Sequence, residues 1–256
     1  MRPPDRAVAT EGQGPDVLFI HGTAADRSSW QRLVPLLSDR VRATTFDRRG
    51  THAWPIAAQE ASPRVEDHAD DAIDVIGGLA GPVHLCGLSF GAVIALELMQ
   101  RRPDLVRSAI LFEPALSGDH RVPSVPRELL DELARWQRHG SPDPVATTFY
   151  RRALGEQMWS ALPELARRDM LSRSSQICHD LLANATYQVR YEDLRSSMQP
   201  VLLLRGARSR PVFESGLRAL HAALPHSRRQ TIDRAGHFAS EAWPEFAAAV
   251  TAFIGA

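Results

Sequence analysis

The 256-residue chain contains no lysine: its 30 cationic side chains are all arginine. That absence excludes Schiff-base chemistry, covalent attachment of pyridoxal phosphate and a phosphate-binding P-loop, because each uses a lysine amine. Cysteine is scarce as well. Cys86 lies inside an apolar run and Cys178 is the other of the two, so both read as small buried hydrophobes in a reducing compartment, with no disulfide framework. There is no His-x-His, His-Glu-x-x-His or Cys-x-x-Cys pair. The doublets Asp67-His68, Asp119-His120 and His179-Asp180 lack partner clusters and read as solvated polar pairs, so no metal site is expected. No G-x-G-x-x-G follows an apolar strand, and no cofactor is expected. No apolar run approaches the length of about 20 residues that spans a bilayer. The first fifteen residues, MRPPDRAVATEGQGP, lack the apolar core of an export signal, which makes the cytoplasm the expected location. Nor does one sign of charge dominate: 30 acidic residues balance 30 basic ones. The arginine pairs at 48/49, 101/102, 151/152, 167/168 and 228/229 are scattered, and read as solvated faces and not as a nucleic-acid stripe. The expected partner is a small molecule, with no nucleic acid and no membrane, and the oligomeric state stays open.

What is present is an alternation of short apolar runs with helical stretches, the pattern of an α/β fold with a mostly parallel central sheet and helices on both faces. VLFI (17–20), VRATTF (41–46), VHLCGL (83–88), SAILFE (108–113), VLLLR (201–205) and RRQTI (228–232) read as strands. Helices are expected around Trp30, Leu33, Val34 and Leu37, over 64–80, over FGAVIALELM after Ser89, and over 240–255. The first dozen residues read as loosely held or as a short edge strand. Between Glu113 and Pro200 no strand is apparent, but amphipathic segments are, such as RELLDELARWQR with Leu129, Leu130, Leu133 and Trp136 on one face. The chain therefore divides into a core, 1–116 with 199–256, and an inserted helical cap, 117–198.

The strongest chemical signal is Gly87-Leu88-Ser89-Phe90-Gly91, set between an expected strand and an expected helix. A serine hydroxyl becomes a useful nucleophile when a tight turn exposes it near a base, and flanking glycines let the backbone make that turn without collision. The helix that follows aims its first amides at the same spot, so the amide of Phe90 can face a developing oxyanion.

This arrangement resembles the α/β-hydrolase family over residues 16–116 and 199–255. The features that carry the resemblance are the His21-Gly22 turn, the Asp47-Arg48-Arg49-Gly50 turn, the elbow at Ser89 and the late Gly236-His237. The resemblance implies Ser89 as nucleophile, His237 as general base, and the amides of Thr23 and Phe90 as oxyanion donors. His21 and the Asp47–Gly50 turn are expected to make structural polar contacts. The acid departs from the family pattern. After VLLLR the family generally places an aspartate, and here Gly206-Ala207-Arg208-Ser209 carries serine at that place. Glu113, at the end of the preceding core strand, is the expected replacement, as in the haloalkane dehalogenases; Glu214 is its competitor, and a cap-anchoring ion pair is the other role open to Glu113. The implied activity is hydrolysis of an ester, thioester or lactone-type acyl bond of a small, apolar substrate. Acyl transfer, cyclisation or perhydrolysis with the same residues, or ligand binding without turnover, are the alternatives. In the cap, Trp136, Phe149, Met158 and Trp159 are expected to line the substrate pocket.

Overall fold

A computed structural model describes the chain except for residues 1, 2, 5, 6, 58, 59, 120, 238, 240, 241 and 256. Seven strands form one sheet: β1 (Val8–Gly12), β2 (Asp16–Ile20), β3 (Arg42–Phe46), β4 (Val83–Leu88), β5 (Val106–Phe112), β6 (Val201–Gly206) and β7 (Ser227–Ile232). Their order across the sheet is β1-β3-β2-β4-β5-β6-β7. All neighbours are parallel except the edge strand β1, which runs antiparallel to β3. The strands carry side chains alternately to two faces. Leu18, Ile20, Leu85, Leu111 and Leu203 face one way, against α2 (Val65–Ile76), α3 (Phe90–Arg101) and α9 (Val212–Ala223). Val17, Phe19, Cys86, Ile110, Phe112 and Leu204 face the other way, against α1 (Val34–Leu37) and α10 (Trp243–Ile254). A sheet buried on both faces explains why these strands read as continuous apolar runs.

Three expected helices are trimmed, among them the one over 64–80, which ends at Ile76 with Gly77 as its cap. The segment around Trp30 to Leu37 is not one helix but a 3-10 turn, Arg27–Trp30, capped by Asp26, followed by the short α1. Pro35 is the reason, since its ring lacks an N–H and would collide with the carbonyl four residues back, so a helix can begin there but not run through. The last helix starts at Trp243; the expected start at 240 lies outside the described residues.

Between β5 and β6 the chain forms α4 (Arg127–His139), α5 (Asp143–Leu154), α6 (Glu156–Ala161), α7 (Glu164–Leu171) and α8 (Ser174–Thr186). These helices have an apolar core of their own, with Leu129, Leu133, Val145, Tyr150, Trp159 and Ile177 buried together. Among the described residues no helix is long and apolar enough to cross a membrane.

A buried ion pair ties the inserted helices to the sheet. Arg48, in the turn after β3, is 0% exposed and Asp180, on α8, is 1% exposed. The guanidinium donates to both carboxylate oxygens, at 3.0 and 2.8 Å, and to the backbone carbonyls of His21 at 3.1 Å and Gly22 at 3.0 Å. It also lies over the Phe90 ring, 5.0 Å from the centroid. His68 packs beside it, edge-on to Phe90 and 1% exposed. Arg49 pairs with buried Asp71 on α2. The expectation of structural polar contacts from the Asp47–Gly50 turn holds, whereas the reading of the 48/49, 67/68 and 179/180 pairs as solvated is corrected: Arg48, His68 and Asp180 lie inside the molecule, where a charge is tolerated only with partners this complete.

Two predictions follow from this cluster. Removing one partner leaves an uncompensated buried charge, so Asp180→Ala should lower unfolding free energy by about 3–5 kcal/mol, and the double variant Arg48→Met/Asp180→Leu should recover much of that loss; urea denaturation measures both. Burial, reinforced by the Arg48 charge, lowers the pKa of His21 from 6.5 to about 3, and lowers that of His68 well below its usual value. Both rings are neutral when folded and gain a proton when unfolded in acid. Their contribution to stability is therefore complete above pH 6.5 and lost progressively below it. Unfolding free energy should fall as the pH drops from about 6.5 toward about 3; a rise over that interval would contradict the assignment.

Candidate active site

The strand register brings the carboxyl ends of β2, β4, β5, β6 and β7 to one edge. Ile20 pairs with Gly87, Leu88 with Phe112, Phe112 with Leu204 and Gly206 with Ile232. The residues that follow these ends, His21-Gly22, Ser89, Glu113, the 207–211 turn and His237, consequently meet at that edge.

Ser89 sits between β4 and α3 with φ 55° and ψ −117°, a left-handed backbone that an L residue rarely adopts. Neighbouring contacts enforce it. A Cβ at Gly91 would lie 2.1 Å from the Ile20 carbonyl oxygen, and one at Gly87 would lie 2.5 Å from the Gly91 carbonyl oxygen. The helix and strands approach too closely there for any side chain, so the chain must turn sharply and present the serine outward.

Ser89 Oγ is 3.1 Å from His237 Nε2, and His237 Nδ1 is 2.6 Å from Glu113 Oε2. An ionised carboxylate only accepts, so Nδ1 carries the proton and Nε2 accepts from the serine hydroxyl. Glu113, fully buried, is fixed by a second bond: its Oε1 accepts the Gly206 amide at 2.8 Å. Its backbone, too, has positive φ, at 44°. The His237 ring is stacked on Phe213, 4.1 Å between centroids and 8° between planes. Sequence reasoning missed Phe213; the first turn of α9 gives no pattern that singles it out.

The competing carboxylate is engaged elsewhere. Glu214 contacts Arg229 at 2.6 Å, Arg218 at 3.0 Å and Arg205 at 3.6 Å. Ser209, where the family's aspartate would stand, is buried and its hydroxyl has no hydrogen-bond partner. Burial pushes the thiols of Cys86 and Cys178 up, which makes both poor nucleophiles.

The turn after β2 passes beside the serine: a Cβ at Gly22 would lie 3.2 Å from Ser89 Cβ. His21 holds this turn. The Arg48 amide donates to His21 Nε2 at 3.2 Å, so the proton is on Nδ1, which donates to the Gly22 carbonyl at 2.9 Å. Thr23, next in the turn, and Phe90, first residue of α3, border the same cavity as Ser89 and His237. The first amides of a helix have no intrahelical acceptor, which leaves the Phe90 N–H available.

That cavity, of about 690 Å3, runs between the sheet edge and the inserted helices, where Leu129, Phe149 and Leu181 supply apolar wall. Of the four aromatic and methionine side chains expected in the pocket, Phe149 alone lines it. Trp159 is buried in the core of the inserted helices, stacked on Tyr150. Trp136 meets His179 edge-on, and Met158 is 57% exposed. Helical spacing predicts that a side chain is covered, but not which neighbour covers it.

Comparison with known proteins identifies the family. The model of the alpha/beta hydrolase family matches residues 17–249. A pimeloyl-[acyl-carrier protein] methyl ester esterase of Methylococcus capsulatus is 31% identical over 80% of this chain and 80% of its own length. A 2-(acetamidomethylene)succinate hydrolase of Mesorhizobium japonicum is 28% identical over 97% of this chain and 91% of its own. Among solved structures, a thermophilic esterase from Thermogutta terrifontis has the same fold, with a TM-score of 0.77 at 24% identity, covering 97% of this chain and 92% of that one. By sequence model, by relatives across most of its length and by fold, the chain belongs to the alpha/beta hydrolase family.

Proposed function

We propose that the protein is a serine hydrolase that cleaves an ester or related acyl bond through an acyl-enzyme on Ser89. The observation that carries this reading is the continuous relay from Ser89 Oγ through the His237 ring to Glu113, at 3.1 and 2.6 Å, beside a cavity large enough for a small molecule. In the first step Oγ attacks the acyl carbon while His237 Nε2 takes its proton and passes it to the departing alcohol. In the second, water gives its proton to the same nitrogen as it attacks the acyl carbon; the acyl–Oγ bond then breaks, Nε2 returns the proton to Ser89 Oγ, and the acid leaves. Glu113 holds the productive tautomer and offsets the charge of the imidazolium, and the amides of Thr23 and Phe90 receive the oxyanion of both tetrahedral intermediates. Residues 117–198 act as a cap over the core formed by 1–116 and 199–256, and shape the acyl site through Phe149, Leu129 and Leu181. Both relatives above carry names of hydrolases, one of them an esterase, which supports the same chemistry.

Ser89→Ala should remove turnover of an activated ester by a factor on the order of 10⁶, without loss of the folded state. It should also abolish the mass increment left by a fluorophosphonate on the wild-type protein. Retention of either turnover or labelling would refute the mechanism. Glu113→Gln should cost at least roughly 10²-fold in kcat, because the amide no longer fixes or compensates the imidazole, whereas Glu214→Gln should stay within a factor of about three of wild type. Steady-state kinetics on one ester decides between them, and the reverse ranking would move the acid to the loop after β6.

A further inference from the structure

The cavity beside Ser89 has an unevenly charged wall. Among the described residues, Arg32, Arg152, Arg173, Arg208 and Arg210 border it, against one carboxylate, Asp26. Arg173 is held by Asp26 at 3.5 Å and Asp169 at 3.7 Å. Arg152 and Arg210 are arranged differently. Arg152 lies one helical turn beyond Phe149 on α5, so the two share the face that borders the cavity. Arg210 lies in the turn between β6 and α9, three residues before the phenyl ring stacked on His237. It reaches across to α5, donating from Nη1 to the Arg152 carbonyl oxygen at 2.6 Å. The carboxylate near Arg152 is Glu128, at 3.2 Å in an exposed pair that solvent screens. Among the described residues, none places a carboxylate in ion-pair contact with Arg210. A guanidinium has five N–H donors, and this one spends a single N–H on the backbone.

We infer that Arg210 and Arg152 form an anion subsite, and that the substrate is an ester carrying a free carboxylate in addition to its scissile bond, of the kind found in the half-ester of a dicarboxylic acid. The inference rests on Ser89 as the nucleophile. The methylene chain of such a substrate lies against Leu129, Phe149 and Leu181, and its carboxylate meets a guanidinium whose planar fork matches two oxygens. This refines the expectation of a small, apolar substrate: the apolar wall takes the chain, and the arginines take its end.

The test compares kcat/KM for methanol release from the monomethyl ester of a short dicarboxylic acid with that from the methyl ester of the monocarboxylic acid of equal chain length. At low ionic strength the half-ester should be preferred by at least about tenfold, and added salt should shrink the preference. Arg210→Gln and Arg152→Gln should each reduce the ratio between the two substrates several-fold, chiefly through KM of the half-ester, with Arg210→Lys retaining part of the preference. A wild-type ratio of one or less, or a ratio unchanged in both glutamine variants, would overturn the subsite. A neutral activated ester, p-nitrophenyl butyrate, separates the two readings. Its turnover by the wild-type protein with no preference for the half-ester rejects the subsite alone, whereas absence of turnover on every ester together with absence of fluorophosphonate labelling rejects both.

Discussion

The bidentate contact between Arg48 and Asp180 is the interaction on which the rest of the site depends. One guanidinium, excluded from water, touches the carbonyls of His21 and Gly22, the ring of Phe90, and a carboxylate on α8 of the inserted helices. It thereby links the turn that presents Thr23, the helix that presents Phe90 and the insertion that roofs the cavity. A buried ion pair adds little to stability compared with an apolar replacement, but it is directional and intolerant of misplacement. Here its direction fixes the spacing between two backbone segments that both border the cavity beside Ser89, and whose amides the proposed mechanism brings to one oxygen.

The second constraint is steric. Where α3 crosses β2 and β4, the backbone atoms are so close that positions 87 and 91 accept only glycine. Ser89 is forced into a left-handed conformation as a consequence, and Glu113, one strand over, adopts another. Strain of this kind persists only where the surroundings determine it fully. The surroundings here are a sheet with both faces covered and a helix, α3, in which residues from Phe90 to Leu96 are all buried.

Placing the carboxylate after β5 and not after β6 has a geometric logic. Glu113 reaches the imidazole with one oxygen and the Gly206 amide with the other, so the turn after β6 still contributes to the site, but as a donor that fixes the acid. That turn, relieved of a carboxylate, carries Arg208, Ser209 and Arg210 at the cavity wall and leads into Phe213, whose ring supports the histidine.

The alternation of apolar runs and helical stretches determined the sheet, because a strand buried on both faces must be apolar throughout and only a few other patterns can surround it. Gly-x-Ser-x-Gly between strand and helix determined the elbow, because the close approach and the turn are local. Ser89, Glu113 and His237, spread over 148 positions, were legible as separate expectations; that they touch was decided by the register of five strand ends. The inserted helices were legible as amphipathic, but the partner of each face was not: Phe149 lines the cavity while Trp136 and Trp159 pack elsewhere, a difference of helix rotation that spacing alone does not encode. Least legible were the buried charges. Arg48 and Asp180 stand 132 positions apart, and in a sequence both look like solvated residues, since a buried ion pair differs from an exposed one only in what lies around it, and that is set by tertiary structure.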